Sequence, residues 1–600
     1  MINIVGTEYL ESNIENDEYS YPKAYKKNGL EFIPIGESRT FEKLDIRFVK
    51  NDVSVLIETK VDFNADKDAE NQLSAYVEYE KNLTGNKIIA ILANTINDNI
   101  KVWKGEVAPE NLLNSEKKLR TMNEYVDFFD LRVNDKEKIM QNTYTLNRLL
   151  HEHGISEKLR SQFVGTCLLA LKNNLKYKSS DFSASQIIKG IEEILDDLLD
   201  DDENKATKLK LLKVNVLKNQ DVRDLSAADW RKILNDINDN IVPFINDKST
   251  AGQDLLNLFF VTFNKYVGKD DKSQAFTPDH ITDFMSKISG VNKNSIILDP
   301  CCGSGSFLVR AMTHAIDDCN TLEEEEMVKT EQIFGIEYDE NIYGLATTNM
   351  LIHSDGNSNI YNGSCFDDKL KDKIIEARPN VILMNPPYNG QKKHLPEEFT
   401  KTWGNNTIYD PSKGMYFVKY IAKTLNENKI KATIAVLLPV ACAIGNGSVI
   451  KDIKKELLEE NALDAVFTLP GDVFFPGASA SACCMVFKTG IKHSSSGNTF
   501  FGYYKDDGFK KKKNLGRVEQ IDNVTGEGKW AAIEEKWIDS YINRKSIDGL
   551  SVTQKVTDED EWLCEAYMKT DYTTLSDDDF KRTVNDYLGF LVKGGELNES

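Results

Sequence analysis

Hydrophobic and polar positions follow different rhythms in different parts of this chain. Over residues 1–130, short β-rich runs (LDIRFV, VSVLIETKV, KIIAILA) surround the stretch AENQLSAYVEYEKNL, whose apolar residues recur at helical steps. The pattern predicts a mixed α/β domain. Over residues 131–270 the period turns helical, in YTLNRLLHEHG, SQFVGTCLLALKN, SQIIKGIEEILDDLLDD and AGQDLLNLFFVTFNKYV. This reads as a helical connector. Over residues 271–492 apolar strands alternate with helices, the signature of a parallel sheet covered on both faces. Residues 493–600 carry the lysine run FKKKKN and then mixed polar, helix-like sequence, expected to contact a partner or DNA. The whole is an α/β multidomain chain without internal repeats.

Charge and cysteine usage narrow the setting. The net charge is −21, which argues against a chain that wraps nucleic acid unaided but leaves room for a local basic groove. The acidic tracts DDLLDDDEN and LEEEEM read as solvated helix ends or loops. Nine cysteines without a CxxC or Cys/His spacing imply reduced thiols and a cytoplasmic location. The start MINIVGTEYLESN lacks the features of a signal peptide. No apolar run approaches the ~18 residues of a membrane span. Thr433 to Gly445 contains Pro439 and reads as a buried strand with its exit loop.

Two strand ends carry candidate chemistry. In SIILDPCCGSGSFLVRAM, Ile296, Ile297 and Leu298 form a buried strand ended by Asp299. Gly303, Ser304 and Gly305 form a tight turn, and a helix starts near Phe307. Glycines let a ligand approach the backbone closely. In IFGIEYDEN, Glu337 ends the next strand, where an acidic side chain holds a ribose diol. The turn lacks a full GxGxxG, which disfavours a nicotinamide cofactor. A packing loop is the plain alternative for the glycine turn.

In VILMNPPY, Val381 to Met384 form a fourth strand with Asn385 at its tip. DPxxGxGxF with an acidic second strand resembles the S-adenosylmethionine pocket of DNA methyltransferases, for which one target would be an exocyclic adenine amine, a poor nucleophile because its lone pair is delocalised into the ring. Two acceptors that take its hydrogens improve it. The Asn385 side-chain carbonyl is one, and the backbone carbonyl of Pro386, held rigid by Pro387, is the other. A base inside a duplex must be flipped out to reach them, and Tyr388 supplies a face for it to stack on. The plain alternative is a strand ending in a proline turn.

These motifs, in the order FTP, DPxxGxGxF, NPPY, resemble the gamma group of N6-adenine DNA methyltransferases. With KATIAVLLP and LPGDVFFPGASASACCMVFK, residues 130–520 resemble modification subunits of type I and related restriction systems. The resemblance implies a Rossmann-like domain with a seven-stranded, mostly parallel sheet and S-adenosyl-L-methionine as cofactor. Phe276, Thr277 and Pro278 would flank that cofactor. Asp299, Pro300, Gly303, Ser304, Gly305 and Phe307 would form its loop, and Glu337 would hold its ribose. Asn385, Pro386, Pro387 and Tyr388 would catalyse, with Asn385 also facing the cofactor and Phe474 or Phe475 packing on the flipped adenine. The family often has Asp after the Gly of its third motif; NGSCFDD has Ser364 there, so Ser364 or Asp367 would serve.

KLDIRFVKNDVSVLIETKVDF holds a second constellation. Asp45 lies in one predicted strand; Glu58 and Lys60, spaced by two, point to one face of the next. Two carboxylates can bind Mg²⁺, which activates a water, and a lysine beside them offsets transition-state charge. Asp45, Glu58 and Lys60 resemble the PD-(D/E)xK nucleases, with Leu44 where proline often stands. Glu8 or Glu11 would be a further ligand, and Gln72 and Tyr76, one helical turn apart on the same face, match a QxxxY signature. An ExK on a solvated strand is the plain alternative. A nuclease fused ahead of such a methyltransferase resembles type IIB (BcgI-like) and type IIG polypeptides.

About a hundred residues follow Lys488, short for a target-recognition domain. The expected partners are therefore double-stranded DNA and a separate specificity subunit, in a hetero-oligomer, with no membrane. Lys510 to Lys513 would touch phosphates or merely form an exposed hairpin turn. Three alternatives stay open: methylation with a non-cleaving N-terminal module, methylation of a protein glutamine, and a cofactor-sensing scaffold.

Overall fold

The computed structural model describes residues 44–50, 53–66, 68–97, 99–113, 119, 125, 136–199, 205–242, 277–353, 359–401, 403–404, 407–445, 447–475, 480–493, 497–512, 516–522, 528–569 and 576–592. Phe276, Glu8, Glu11, Lys513 and the run AGQDLLNLFFVTFNKYV lie outside them. The chain divides into two compact units: Met1–Lys272 with Phe276–Met384, and Ser273–Ala275 with Asn385–Ser600.

The first unit opens on a four-stranded sheet, β1 (Ile46–Lys50), β2 (Val53–Lys60), β3 (Lys87–Asn94) and β4 (Ile100–Lys104), in that order. β1 and β2 are antiparallel, β2 and β3 parallel, β3 and β4 antiparallel. The parallel pair needs a crossover, supplied by α1 (Ala69–Thr84). The sheet is buried on both faces. Leu56, Ala90 and Leu92 pack with Leu73 and Val77 of α1, whereas Val55, Ile57, Ile89 and Ile91 form a separate cluster. This is the period-two alternation of strands. Glu80 is fully buried on α1 and accepts hydrogen bonds from Arg47 and Ser54, which ties the helix to β1 and β2.

Helices α2 (Lys136–Glu152), α3 (Glu157–Lys172), α4 (Ala184–Leu198) and α5 (Ala227–Asn240), with a π-helical stretch Lys210–Leu217, form the expected helical part. On α4, Ile187, Ile191 and Leu195 are buried at four-residue steps, and Ser183 with Gln186 makes a capping box. This core also takes in Leu345 and Ile352, which joins it to the following layer.

That layer begins with α6 (Asp279–Ile288) and continues as β5 (Ile297–Asp299), α7 (Ser306–Asp317), α8 (Leu322–Glu331), β6 (Ile333–Glu337), α9 (Glu340–Ile352), β7 (Asn359–Asn362), α10 (Asp368–Ala377) and β8 (Val381–Met384). The strand order is β8-β5-β6-β7, all parallel. Helical crossovers between parallel strands put all four strand ends on one edge.

The second unit holds α11 (Met415–Glu427), β9 (Thr433–Pro439), α12 (Val440–Ile444), α13 (Ser448–Glu460), β10 (Ala462–Thr468), β11 (Ala482–Lys488), β12 (Thr499–Tyr503), β13 (Phe509–Lys512), β14 (Gly516–Glu519), α14 (Trp530–Ile542), β15 (Ser551–Gln554) and α15 (Asp577–Val592). Its strands run β15-β12-β10-β11-β9, and of those pairings only β10–β12 is parallel. Seven strands, β5 to β11, fall within residues 271–492, and β12 and β15 add two beyond them. The described residues give four parallel strands in one unit and five mixed strands in the other. The extra strands, β12 and β15, come from beyond residue 492, where short strands between polar stretches leave little period-two signal. The expected exit loop after Pro439 is instead the short helix α12.

All nine cysteines are free thiols, and Cys301 alone is not fully buried. Among the described residues no helix is long and apolar enough to cross a membrane.

Candidate active sites

The N-terminal constellation comes together at one end of β2. The β1–β2 ladder pairs Ile46 with Ile57, so Asp45, one step further, lies opposite Glu58. Asp45 precedes β1 rather than lying within it, because its carboxylate turns to accept the Thr59 backbone N–H at 2.7 Å and the Thr59 hydroxyl at 2.5 Å. Glu58 is 3% exposed. Its Oε1 accepts Lys60 Nζ at 2.7 Å, and Lys60 also donates to Gln72 Oε1 at 2.7 Å. Gln72 Nε2 donates to the Tyr76 hydroxyl at 3.0 Å. Burial raises the Glu58 pKa, Lys60 opposes that, and the charge of Asp45 raises it further. Glu58 Oε2 is buried with no hydrogen-bond partner. A buried carboxylate oxygen left unpaired beside a second carboxylate fits a divalent cation, which would satisfy both. Among the described residues no group of three or more His, Cys, Asp or Glu is arranged to hold a metal ion.

In the layer from α6 to β8, Asp299 ends β5 and is 1% exposed. The turn that follows is held from three sides. Cys301 N–H donates to Asp299 Oδ1 at 3.0 Å, Gly303 N–H to Glu337 Oε2 at 2.9 Å, and Asn349 Nδ2 to the Ser304 carbonyl at 3.0 Å. Gly303 and Gly305 have φ of +55° and +85°, a region that disfavours side chains. A Cβ on Gly303 would meet nothing within 4 Å, so open space lies in front of the turn. Gly305 caps α7, and Phe307 on its first turn is buried. Pro300 and Ser304 are buried as well. Glu337 also accepts the Asp339 N–H at 2.8 Å; burial lifts its pKa to about 6. This open glycine turn beside a carboxylate fits a nucleoside cofactor.

Thr277 is buried and Pro278 caps α6. The next residue, Asp279, accepts from Arg310 of α7 at 2.7 Å, and Asp283 pairs with Arg310 and His314. That ion-pair cluster fixes the start of α6 to the helix that begins at the glycine turn; the sequence reading missed it. Ser364 and Asp367 are engaged with one another. Asp367 Oδ2 accepts the Ser364 N–H at 2.9 Å at the start of α10.

Asn385 follows Met384 of β8 directly and belongs to the second unit. The Tyr388 hydroxyl donates to Asn385 Oδ1 at 2.8 Å. Pro386 is buried and Pro387 partly so. The Tyr388 ring meets Phe474 at 6.4 Å between centroids, tilted by 60°. Phe474 is 3% exposed and Phe475 38%. Lys511 sits over the Phe475 ring at 4.8 Å. The lysine run forms β13 of the β13–β14 hairpin, with Lys510, Lys511 and Lys512 exposed. Arg517 on β14 anchors that hairpin through a bidentate pair with Asp507, at 2.6 and 2.7 Å, and an ion pair with Asp472 at 3.1 Å. The other support for the turn is Gly414, at φ +97°. A Cβ there would lie 3.0 Å from Pro386 Cγ.

The profile of the N-6 DNA methylase family matches residues 253–564, more than half of the chain. The chain is similar to the type II restriction enzyme and methyltransferase RM.BcgI of Heyndrickxia coagulans, 31% identical over 373 residues, 59% of this chain and 53% of that one. It is also similar to the EcoEI methylase subunit of Escherichia coli, a type I restriction enzyme, 26% identical over 269 residues, 44% of this chain and 48% of that one. The chain thus spans about half the length of these curated relatives. Its fold resembles that of a modification subunit assigned to a type I restriction enzyme from Vibrio vulnificus, with a TM-score of 0.51, 16% identity, 72% of this chain and 98% of that one covered. The chain belongs to the N-6 DNA methylase family.

Proposed function

We propose that this chain methylates adenine N6 in double-stranded DNA, using S-adenosyl-L-methionine, and that its N-terminal domain is a Mg²⁺-dependent endonuclease of the same restriction-modification system. The observation that carries the first part is the Asn385–Tyr388 turn. It follows β8, a strand that pairs in parallel with the strand opening the glycine turn, Leu298 opposite Ile382. In this reading Asn385 Oδ1 accepts one amine hydrogen of the extruded adenine. The Tyr388 hydroxyl occupies one of its two lone-pair directions and holds the amide so that the other faces the base. The Pro386 carbonyl takes the second hydrogen, and the nitrogen lone pair localises. Gly303, Gly305 and Glu337 are the residues that would hold the cofactor, which when bound supplies an electrophilic methyl group.

The nuclease reading rests on Asp45, Glu58, Lys60 and Gln72. Asp45 and Glu58 would hold Mg²⁺. Lys60, held by Glu58 and Gln72, would orient the attacking water and offset charge on the scissile phosphate. The similarity to a relative named both restriction enzyme and methyltransferase supports the pairing of activities.

A separate specificity subunit is part of this proposal. The EcoEI relative is itself called a methylase subunit. On α15, Phe580, Val584, Tyr587 and Leu588 form an apolar stripe at helical spacing, each at least 50% exposed. Lys510 to Lys512 would meet DNA phosphates.

The test is digestion and methylation of unmethylated plasmid DNA by the chain purified with its neighbouring gene product. Cleavage is expected to need Mg²⁺ and to vanish in Glu58→Ala, while methylation persists; Asn385→Ala is expected to do the reverse. Cleavage that survives Glu58→Ala rejects the nuclease assignment. Methylation with no cleavage under any divalent metal reduces the N-terminal domain to a docking module. Labelled methyl groups appearing on protein rather than DNA would favour a glutamine substrate.

A further inference from the structure

Residues 389–414 link the Asn-Pro-Pro-Tyr turn to α11, and the function above leaves most of them without a role. The segment has its own small core. Leu395, Phe399 and Trp403 are each no more than 8% exposed. Phe399 stacks on Tyr416 of α11 at 4.5 Å, and Trp403 lies 6.3 Å from the same ring. Its backbone pairs with itself close to the turn. Lys392 N–H donates to the Ile408 carbonyl at 2.8 Å, and Asp410 N–H to the Gly390 carbonyl at 2.8 Å, with Gln391 bridged to Tyr409. A narrow two-stranded ribbon therefore starts two residues after Tyr388.

Both ends of the ribbon are fixed. One continues from Tyr388. At the other, buried Asp410 accepts the Ser412 and Gly414 N–H groups at 2.7 and 2.9 Å, and Gly414 packs against Pro386. On this rigid base Ile408 and Tyr409 stand out, 63% and 56% exposed. The segment buries three large apolar side chains and leaves two neighbours in water. Lys393 is exposed and Lys392 partly so, in the single 3-10 turn Lys392–His394 at the end of the strand that pairs with them.

We propose that Ile408 and Tyr409 form a wedge that enters the duplex where the target adenine leaves it. Extruding a base opens a gap in the stack, and apolar side chains inserted between base steps fill such gaps. The lysines opposite suit the flanking phosphates. The fixed ribbon would let the wedge act in register with the Asn385 clamp. This inference rests on the DNA-adenine reading above.

The full chain, purified with its native partner, first labels unmethylated plasmid DNA so that sequencing identifies the modified adenine. Two synthetic duplexes follow, one with that adenine paired to thymine and one with it mispaired, which lowers the work of extrusion. The double variant Ile408→Ala/Tyr409→Ala is expected to lower kcat/KM on the paired duplex by about tenfold or more, and to recover to near the unaltered chain on the mispaired one. Ile408→Leu/Tyr409→Phe, which keeps apolar bulk, is expected to stay active on both. Undiminished activity of the alanine variant on the paired duplex overturns the wedge, as does an equal loss on both duplexes. An unaltered chain that methylates adenine in neither duplex removes the reading beneath it.

Discussion

A carboxyl group shut away from water keeps its proton, and Asp299 is such a group. Burial, reinforced by the charge of Glu337, pushes its pKa up to about 8 from an ordinary 3.8. Between those values the folded chain holds a proton that the unfolded chain has lost. Its contribution to stability is full below about pH 3.8 and is lost as pH rises through about 8, by up to ~1.4 kcal/mol per pH unit. Asp299→Asn stays neutral throughout. Urea unfolding at pH 5 and pH 7.5 is therefore expected to show the unaltered chain losing more stability with rising pH than the variant. Equal pH slopes would contradict this. At this scale the sequence was informative about residue types. Asn385, Tyr388, Glu58 and Lys60 were named from chemistry, spacing and resemblance to known families. It could not reveal that Tyr388 bonds Asn385, or that one oxygen of Glu58 is buried without a partner, since both depend on side-chain direction.

At the scale of elements, the strands and helices with strong periods were legible, from β2 and β3 to α1, α3 and α4. The short strands β12 and β15 were not, because four or five residues flanked by polar sequence carry little alternation. Brace elements were equally invisible. Gly414 reads in sequence as one of 35 glycines, yet its φ of +97° and its contact with Pro386 make it a support for the turn proposed to be catalytic. Gly414→Ala adds a side chain where the backbone disfavours one and pushes on Pro386. Methyl transfer is expected to fall by about tenfold or more, because a small misplacement of a reacting group is enough to do so. Plasmid cleavage by the same preparation reports on the other site and is expected to remain. Full methylation by Gly414→Ala would show that the turn needs no such support. The β13–β14 hairpin makes a second case. Arg517→Ala removes its ties to Asp507 and Asp472, so DNA affinity is expected to weaken and to depend less on salt if the hairpin lysines meet phosphates. An unchanged salt dependence of binding would leave the lysines as surface only.

At the scale of the molecule, a net charge of −21 still opposes unaided DNA binding. The basic hairpin is a local exception among the described residues, and in the function proposed above most phosphate and base contacts belong to a partner. The exposed stripe on α15 is the surface proposed to hold that partner. Replacing Val584 and Leu588 by glutamate is expected to abolish co-purification of the specificity subunit. The melting temperature of the isolated chain should shift by no more than a few degrees, since neither side chain is buried. Retention of the partner by this variant would move the interface elsewhere.

Sequence by itself determined what depends on local order: the periods that make strands and helices, the glycines that permit a tight turn, and the residue types able to bind a cofactor or activate an amine. Only the tertiary structure decided what depends on approach between distant segments. It brought Gln72 to Lys60, Glu337 to the Gly303 amide and Gly414 to Pro386, and it left Ile408 and Tyr409 uncovered. Local patterns reflect backbone sterics and side-chain alternation, which act within a few residues. Contacts across dozens of residues depend on how whole elements pack, and no short stretch of sequence encodes that alone.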